Sequence, residues 1–445
     1  MKKIVGIIAA LALAGSVFAR PDITPVITEF KGDATLEWIA DIDAETTGMA
    51  NSTGSSFKIQ MRTDDWGGDS TSGDGLWGEV TVRTGGGYTA EKGGQYGWTL
   101  GIEVSEAKIH FLDGDTYFNM QILQPGFGVG ELGYVLAYKA GNEWEDYKWG
   151  NVGGGYEFVD GTDKKGYQGF TLNFGVPIVD LTFAFGDNGQ QKAADKEFAW
   201  KAAATLKPID GLKLYAGATG CTADAYKDLL ALAFTASYNY KIDDQFYIKP
   251  AVQFTMVGKA MNIGAAALFG WGDEGKQWRS DFLNFDNATS LNVGANSNRT
   301  ADGVAVLFEK GLKDANGDDV KKSTLVVEAF DSKLLGDFGV TWGAAYRAKD
   351  VADEDLGKGA IDFAAIYNTN IDIVYLTARA SFGYDLGEKD FGAKWGLRVG
   401  TKELIANTDL YLDYVGSVCK FAPDNKADAN GVRVGTLKIG TKISF

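Results

Sequence analysis

Apolar and polar residues alternate with period two along most of this chain. Leu36, Trp38, Ala40 and Ile42 fall on one side, and Thr35, Glu37, Ile39 and Asp41 on the other. Phe57, Ile59 and Met61 oppose Lys58, Gln60 and Arg62. Leu76, Gly78, Val80 and Val82 oppose Trp77, Glu79, Thr81 and Arg83. Trp98, Leu100, Ile102 and Val104 oppose Thr99, Gly101, Glu103 and Ser105. Side chains on a strand alternate faces, so each stretch predicts an amphipathic strand. The rhythm continues through Phe170–Phe174, Leu181–Phe185, Leu212–Ala218, Leu230–Tyr240 and Phe246–Met256. It returns in Val304–Phe308, Leu325–Ala329, Phe338–Tyr346, Ile361–Tyr367, Val374–Tyr384 and Leu410–Tyr414. The candidates number roughly 20, and any one alone is weak. No segment of helical period competes with them, and no tandem repeat is present.

The final stretch is the clearest. Counting back from Phe445 in twos gives Ile443, Thr441, Ile439, Leu437 and Gly435 on a mostly apolar face. Ser444, Lys442, Gly440, Lys438 and Thr436 form the other. Such a strand crosses a thin membrane when tilted, and a barrel needs a last strand to pair with its first. With Phe445 placed at the periplasmic end, residues 419–431, 386–390 and 349–358 fall outside. Residues 402–408, 369–372 and 333–337 then fall on the periplasmic side. By the same parity the long segment 270–302 lies on the periplasmic side, which is unusual. It hides a further strand, marks a count off by one, or folds into the lumen as a constriction.

Met1 to Ala19 has Lys2-Lys3, an apolar run from Ile4 to Ala14, and small residues at Val17 and Ala19. This predicts a cleaved signal peptide over residues 1–19. Later apolar runs such as Leu229–Phe234 are far shorter than the ~18 residues of a membrane helix. Any span must therefore be built from strands. Gly is 59 of 445 residues and Pro only 7, a balance that suits many strands joined by many turns. The formal charge of −16 becomes more acidic once Lys2 and Lys3 are lost, so nucleic acid is not an expected partner.

Candidate chemistry is thin. Cys221 and Cys419 make no disulfide framework, and their pairing is left open. His110 is the single histidine, which disfavours imidazole-based catalysis and His-rich metal sites. It falls on a polar face opposite Ile109 and Phe111 and reads as a lumen or loop residue. Asp314-Ala315-Asn316-Gly317-Asp318-Asp319 begins like a calcium loop. Asp319 and Leu325 stand where such a loop needs Gly and Glu, so a hairpin tip is the better reading. Gly85-Gly86-Gly87 leads to no helix, and Asp64-Asp65 sits in loop-like sequence. No serine nucleophile with a base pattern is visible. Neither catalytic residue, metal site nor cofactor is expected.

The segments Ala34–Trp38, Asp41–Asp43, Thr47–Asn51 and Ser56–Ile59 resemble the amino-terminal region of treponemal major sheath (major surface) proteins. That region has a Trp-bearing first strand, a Gly-Phe-containing loop and an alternating second strand. Met49 stands here where the family pattern has Phe. The ending Gly440–Phe445 also looks like that family, and the terminal Phe445 is similar to the assembly signal of outer-membrane barrels. The resemblance implies an outer-membrane pore former, in several members with affinity for host matrix proteins. It also implies a division into an amino-terminal region and a carboxy-terminal barrel, whereas the alternation here runs through both halves.

The expectation is therefore an all-β chain: a transmembrane antiparallel β-barrel of roughly 16–22 strands over residues 20–445. A distinct N-terminal region is left open. The expected role is a bacterial outer-membrane porin, not an enzyme, passing small polar solutes through a water-filled lumen. The alternative is a surface adhesin acting through its outer loops. Candidate pore-lining residues are Glu37, Asp41, Lys58, Arg62, Glu79, Arg83, Glu103, Lys438 and Lys442, with Phe445 as assembly signal. Expected partners are outer-membrane lipid, the barrel assembly machinery and small ions and solutes. Host matrix proteins and a homo-oligomer stay open.

Overall fold

The computed structural model describes residues 23–63, 77–90, 96–112, 114–122, 125–131, 154–156, 168–188, 196–223, 229–272, 279–280, 293–294, 302–314, 316–320, 323–349, 358–385, 389–419 and 432–445. The leader expected over residues 1–19 lies outside them. Every regular element among the described residues is a strand. In order these are β1 (Ile23–Asp41), β2 (Thr46–Thr63), β3 (Trp77–Ala90), β4 (Tyr96–Leu112), β5 (Tyr117–Ile122), β6 (Val129–Glu131), β7 (Gly154–Tyr156), β8 (Gln168–Val176) and β9 (Val179–Asp187). Then follow β10 (Phe198–Leu206), β11 (Leu212–Cys221), β12 (Leu230–Tyr238), β13 (Tyr240–Lys241), β14 (Phe246–Val257), β15 (Ala260–Trp271), β16 (Arg279–Ser280) and β17 (Val293–Gly294). The last are β18 (Asp302–Lys313), β19 (Ser323–Leu335), β20 (Phe338–Lys349), β21 (Lys358–Ile371), β22 (Val374–Asp385), β23 (Asp390–Thr401), β24 (Thr408–Cys419) and β25 (Val432–Ser444).

One antiparallel sheet takes in 21 of these strands. Each pairs with its neighbours in chain order, and β25 returns to pair with β1, Asp33 facing Ser444 and Asp41 facing Thr436. The sheet is thus closed into a barrel, the arrangement that leaves no edge strand unpaired. β12 and β13 both pair with β14, so they form one interrupted stave and the wall has twenty. The N-terminal strands belong to the same ring as the C-terminal ones. An even count returns both ends of the ring to one rim, the Phe445 end.

Parity assigns every wall-strand end to a rim. Tight turns such as Gly336–Asp337 and Asp372–Ile373 lie at the Phe445 end, both opening on a positive φ (Gly336 61°, Asp372 55°). These turns fall slightly later than the residues 333–337 and 369–372 read from the sequence, because β19 and β21 run on to Leu335 and Ile371. The segment between β15 and β18 leaves and rejoins the wall at the Phe445 end. β15 pairs directly with β18, so no wall stave is hidden between them. Within that segment β16 and β17 make a two-stranded ladder of their own. The connections 123–167 and 420–431 leave and rejoin the wall at the opposite rim, where β5 and β24 end and β8 and β25 begin.

The two faces differ as the alternation requires. Outward positions carry exposed apolar side chains all round the ring, among them Leu36, Phe183, Phe234, Val252, Ile263, Val306, Phe363, Trp395, Leu412 and Ile439. Aromatic pairs gather toward the rims. Phe30–Phe445, Phe246–Phe269 and Phe338–Tyr367 stand at the Phe445 end, and Phe185–Phe198 and Phe382–Phe391 at the other. A water-facing surface does not expose apolar area so continuously, whereas a lipid-facing one does. Twelve residues, the length of β14, β15 and β18, rise about 40 Å and span about 30 Å at a tilt of about 40°. That matches a bilayer core of about 30 Å.

The candidate pore wall and its luminal segment

The inward face of β22–β25 and β1–β3 is ionic. Arg398 donates to Asp413 at 2.6 Å, and its guanidinium lies 4.4 Å from the centre of the Tyr411 ring. The Tyr411 hydroxyl donates to Glu37, and Lys438 reaches the other oxygen of Glu37 at 3.4 Å. The Tyr375 hydroxyl donates to Asp409 at 2.8 Å. Same-face neighbours on adjacent strands are close enough for such contacts, and each links two or three staves. Asp413 is only 1% exposed, so its charge depends on Arg398.

A second cluster surrounds Glu79 on β3. Lys58 of β2 approaches one carboxylate oxygen at 2.7 Å, and Gln60 donates to the same oxygen at 3.3 Å. His110 of β4 stands 3.5 Å from the other oxygen. Its ring is stacked on Trp77, centroids 3.7 Å apart and 6° from parallel. The lone histidine is thus a buried wall residue, held flat by an aromatic neighbour.

The other side of the lumen is built differently. Inward positions on β9–β18 are largely small or apolar, with Lys201, Lys249, Gln253 and Asp302 interspersed: Ala184, Ala199, Ala231, Ala233, Ala251, Ala266, Leu268, Ala305 and Leu307 are all buried. Against β9–β12 sits the start of the β5–β8 connection. Phe127 and Val129, each 1% exposed, pack into a cluster with Ala184, Ala199, Cys221, Ala231 and Ala233. Gly130 donates its amide to the Tyr215 hydroxyl at 3.4 Å. A Cβ on Gly186 would come within 3.0 Å of Pro125 and 3.2 Å of Phe127. The cluster shares its face with Lys201, Thr219, Thr235 and Gln253, the inward alternation, so residues 125–131 lie inside the ring. β6 and β7 then pair as a short ladder beside this wall. A shallow apolar groove of about 440 Å³ on β10–β15 faces the other way, lined by outward Leu206, Leu214, Phe234, Val252, Phe254 and Ile263.

The sequence-predicted wall residues divide. Glu37, Asp41, Lys58, Glu79, Lys438 and Lys442 share the inward alternation and are brought into contacts: Glu37 with Lys438, Lys58 with Glu79, Asp41 with Arg433, and Lys442 with Asp33 at 3.9 Å. Arg83 is exposed on the same alternation, opposite Glu103 in register. The side chains of Arg62 and Glu103 lie outside the described residues. Arg398, Asp413, Tyr411, Arg433 and Phe127 were missed. The first three carry a signal of their own, polar residues alternating with Leu410, Leu412 and Leu397; Phe127 sits in a glycine-rich stretch that carries none.

No protein-family model matches the chain. Over 85 residues it is 45% identical to the major surface protein MspTL of Treponema lecithinolyticum, 19% of this chain and 14% of that protein. Over 166 residues it is 32% identical to the major outer membrane protein MspA of Treponema maltophilum, 33% of this chain and 28% of that protein. The chain is similar to treponemal major surface proteins. The family resemblance read from both ends of the sequence is borne out by these relatives, over well under half the length of either. Among solved structures, OccAB2 of Acinetobacter baumannii aligns over 94% of this chain and 97% of its own, at 9% identity and a TM-score of 0.40. OpdL of Pseudomonas aeruginosa aligns over 96% and 99%, at 9% identity and a TM-score of 0.38. Likeness at that level decides nothing about this chain.

Proposed function

We propose that this chain is an outer-membrane porin, a passive aqueous channel for small polar solutes. The observation that carries the reading is the closed ring of twenty staves with apolar side chains outward and paired charges inward. Staves about 4.8 Å apart and tilted about 40° make a ring about 40 Å across between backbones. Side chains do not fill so wide a ring, so water enters it. The luminal segment at Phe127 narrows the path from the apolar side, which leaves the charged arc of β22–β3 as the surface a solute passes. Glu37, Lys58, Glu79, Arg83, Lys438 and Lys442 line that arc, together with Arg398. All but Arg83 neutralised in pairs, they orient solute dipoles and hold water without a large net field. The leader over residues 1–19 directs export, and no residue on the arc is asked to do covalent chemistry. Liposome swelling with uncharged sugars of increasing size tests the reading. Swelling that slows with sugar size supports it, and vesicles that never swell refute it.

A second, compatible reading is a surface adhesin. It is favoured by the long connections 123–167 and 420–431 leaving and rejoining the wall at one rim, opposite Phe445. Antibodies to residues 420–431 that bind intact cells and block attachment to matrix proteins would support it.

A further inference from the structure

Alternation decides which face of β25 turns inward, but not which residues of β1 it meets. A one-residue slip turns every side chain over, whereas a two-residue slip keeps both faces in place. The inward charges at the seam are equally permissive. β1 carries Asp33, Glu37 and Asp41, and β25 carries Lys438 and Lys442, all spaced by four. Glu37 faces Gly440, so a lysine lies two positions to either side. Sliding β25 by two in either direction places an acid directly opposite a lysine. The ladder draws the terminal strands together without saying where they stop.

The two ends of the seam are not periodic. At one, Gly32 and Phe445 exchange both backbone hydrogen bonds, at 2.6 and 2.9 Å. The Phe445 ring stacks on Phe30 and covers Gly32, where a Cβ would fall 2.4 Å from a ring carbon. A residue with a side chain there would push the ring off this seat. At the other end β25 bulges at Gly435, whose φ is +138°. Val415 faces Thr436 while Ser417 faces Arg433, so one extra residue turns Arg433 inward. Arg433, 3% exposed, donates to Asp41 and to Thr436, each at 3.0 Å. Asp43 accepts from the two amides that the bulge presents, Val434 at 2.7 Å and Gly435 at 2.9 Å. The Gly435 carbonyl accepts from Ile42 at 3.0 Å.

We propose that these two end locks, Gly32 under Phe445 and the Asp41–Asp43 clasp on the Arg433–Gly435 bulge, specify the closing register of the barrel. The charge ladder between them supplies attraction only. Each lock fits one register, because a slip of two carries Phe445 past Gly32 and moves the bulge amides away from Asp43.

Disulfide trapping reads the register. In the full chain, with Cys221→Ala and Cys419→Ala, Leu36→Cys is combined in turn with Thr441→Cys, its native partner, or with Ile439→Cys or Ile443→Cys, its partners after slips of two. A two-residue slip preserves the alternating type of strand pair, so all three crosslinks have the same geometry available. The folded barrel should trap 36–441 alone. With Gly32→Val and Asp43→Ala together, 36–439 or 36–443 should rise from background to a yield comparable with the native pair. Glu37→Gln with Lys438→Gln should leave trapping at 36–441. Exclusive 36–441 trapping with both locks removed overturns the proposal, and so do slipped crosslinks in the ladder variant with both locks intact. If the doubly altered chain does not fold, Gly32→Ala and Asp43→Asn are tested singly. Slipped pairs in either support the proposal, and native trapping alone in both overturns it.

Discussion

Phe127→Ala isolates the luminal segment from the wall it leans on. The ring is fully buried in the Ala184–Ala199–Ala231–Ala233 cluster, and its removal takes no hydrogen bond from any stave. Truncating a buried Phe costs about 3–5 kcal/mol. Here that loss falls on the docking of residues 125–131 rather than on strand pairing. At about 1.4 kcal/mol per factor of ten, the docked state loses roughly two to four orders of magnitude against the released one. Val129 and the Gly130–Tyr215 hydrogen bond remain, a far smaller hold. The barrel should therefore fold as before, with its usual shift in migration between unboiled and boiled samples. Single-channel recordings in a planar bilayer should show higher mean conductance and added open-channel noise as the segment leaves and re-enters the path. Phe127→Leu, which keeps most of the buried area, should stay near the parent. A folded Phe127→Ala barrel with parental conductance and noise would refute the claim that this segment narrows the channel.

Other outcomes follow from the same geometry. Arg433→Ala leaves Asp41 and Asp43 facing each other without a cation, a loss of about 3–5 kcal/mol, read as a lower temperature at which unboiled migration is lost. Arg433→Lys should recover part of it. At the β18–β19 tip the Asp314 carboxyl is held below the ordinary aspartate range, chiefly by the Asp318 amide and also by those of Asn316 and Gly317, with desolvation opposing. A depressed folded pKa stabilises the tip above the ordinary value of about 3.9 and stops doing so as pH falls through the folded value. Amide protection at Asn316 and Asp318, relative to the intrinsic rate at each pH, should accordingly be higher at neutral pH than in acid, and Asp314→Asn should abolish that dependence. Reversal potentials across a salt gradient should show a modest cation preference from the acidic rims, fading as ionic strength shortens a screening length of about 8–10 Å. A clear anion preference at low salt would contradict it.

The barrel was legible wherever the two faces differ in chemistry. Glu37, Lys58, Glu79 and Lys438 stand inward as their alternation predicts, and Leu36, Phe57 and Ile439 stand outward. β10 was not singled out, because Ala199 and Ala203 face in while Ala202 and Ala204 face out, and the contrast vanishes. Arg433 shows how local backbone overrides a count. Counting back in twos from Phe445 puts it on the apolar face, and the bulge at Gly435 returns it to the lumen. The tip at Asp314 was readable as a hairpin, since Asp, Asn and Gly at those positions bond their own backbone. The luminal segment was not. The sequence drew attention to residues 270–302 by their length, while the contact that enters the barrel is made by Phe127, whose partners lie on strands 57 to 106 residues away. Periodicity carries no information about contacts between a loop and a distant wall. The partners of Glu37 and Asp41 were hidden for the same reason, since ring closure joins residues from opposite ends of the chain.

A closed, water-filled barrel must conduct ions. Folded protein reconstituted in a planar bilayer should produce discrete, ohmic current steps whose conductance rises in proportion to bulk salt at high ionic strength. Boiled protein should produce none. Folded protein, verified by its unboiled migration, that inserts into the bilayer without any conductance step would contradict the account.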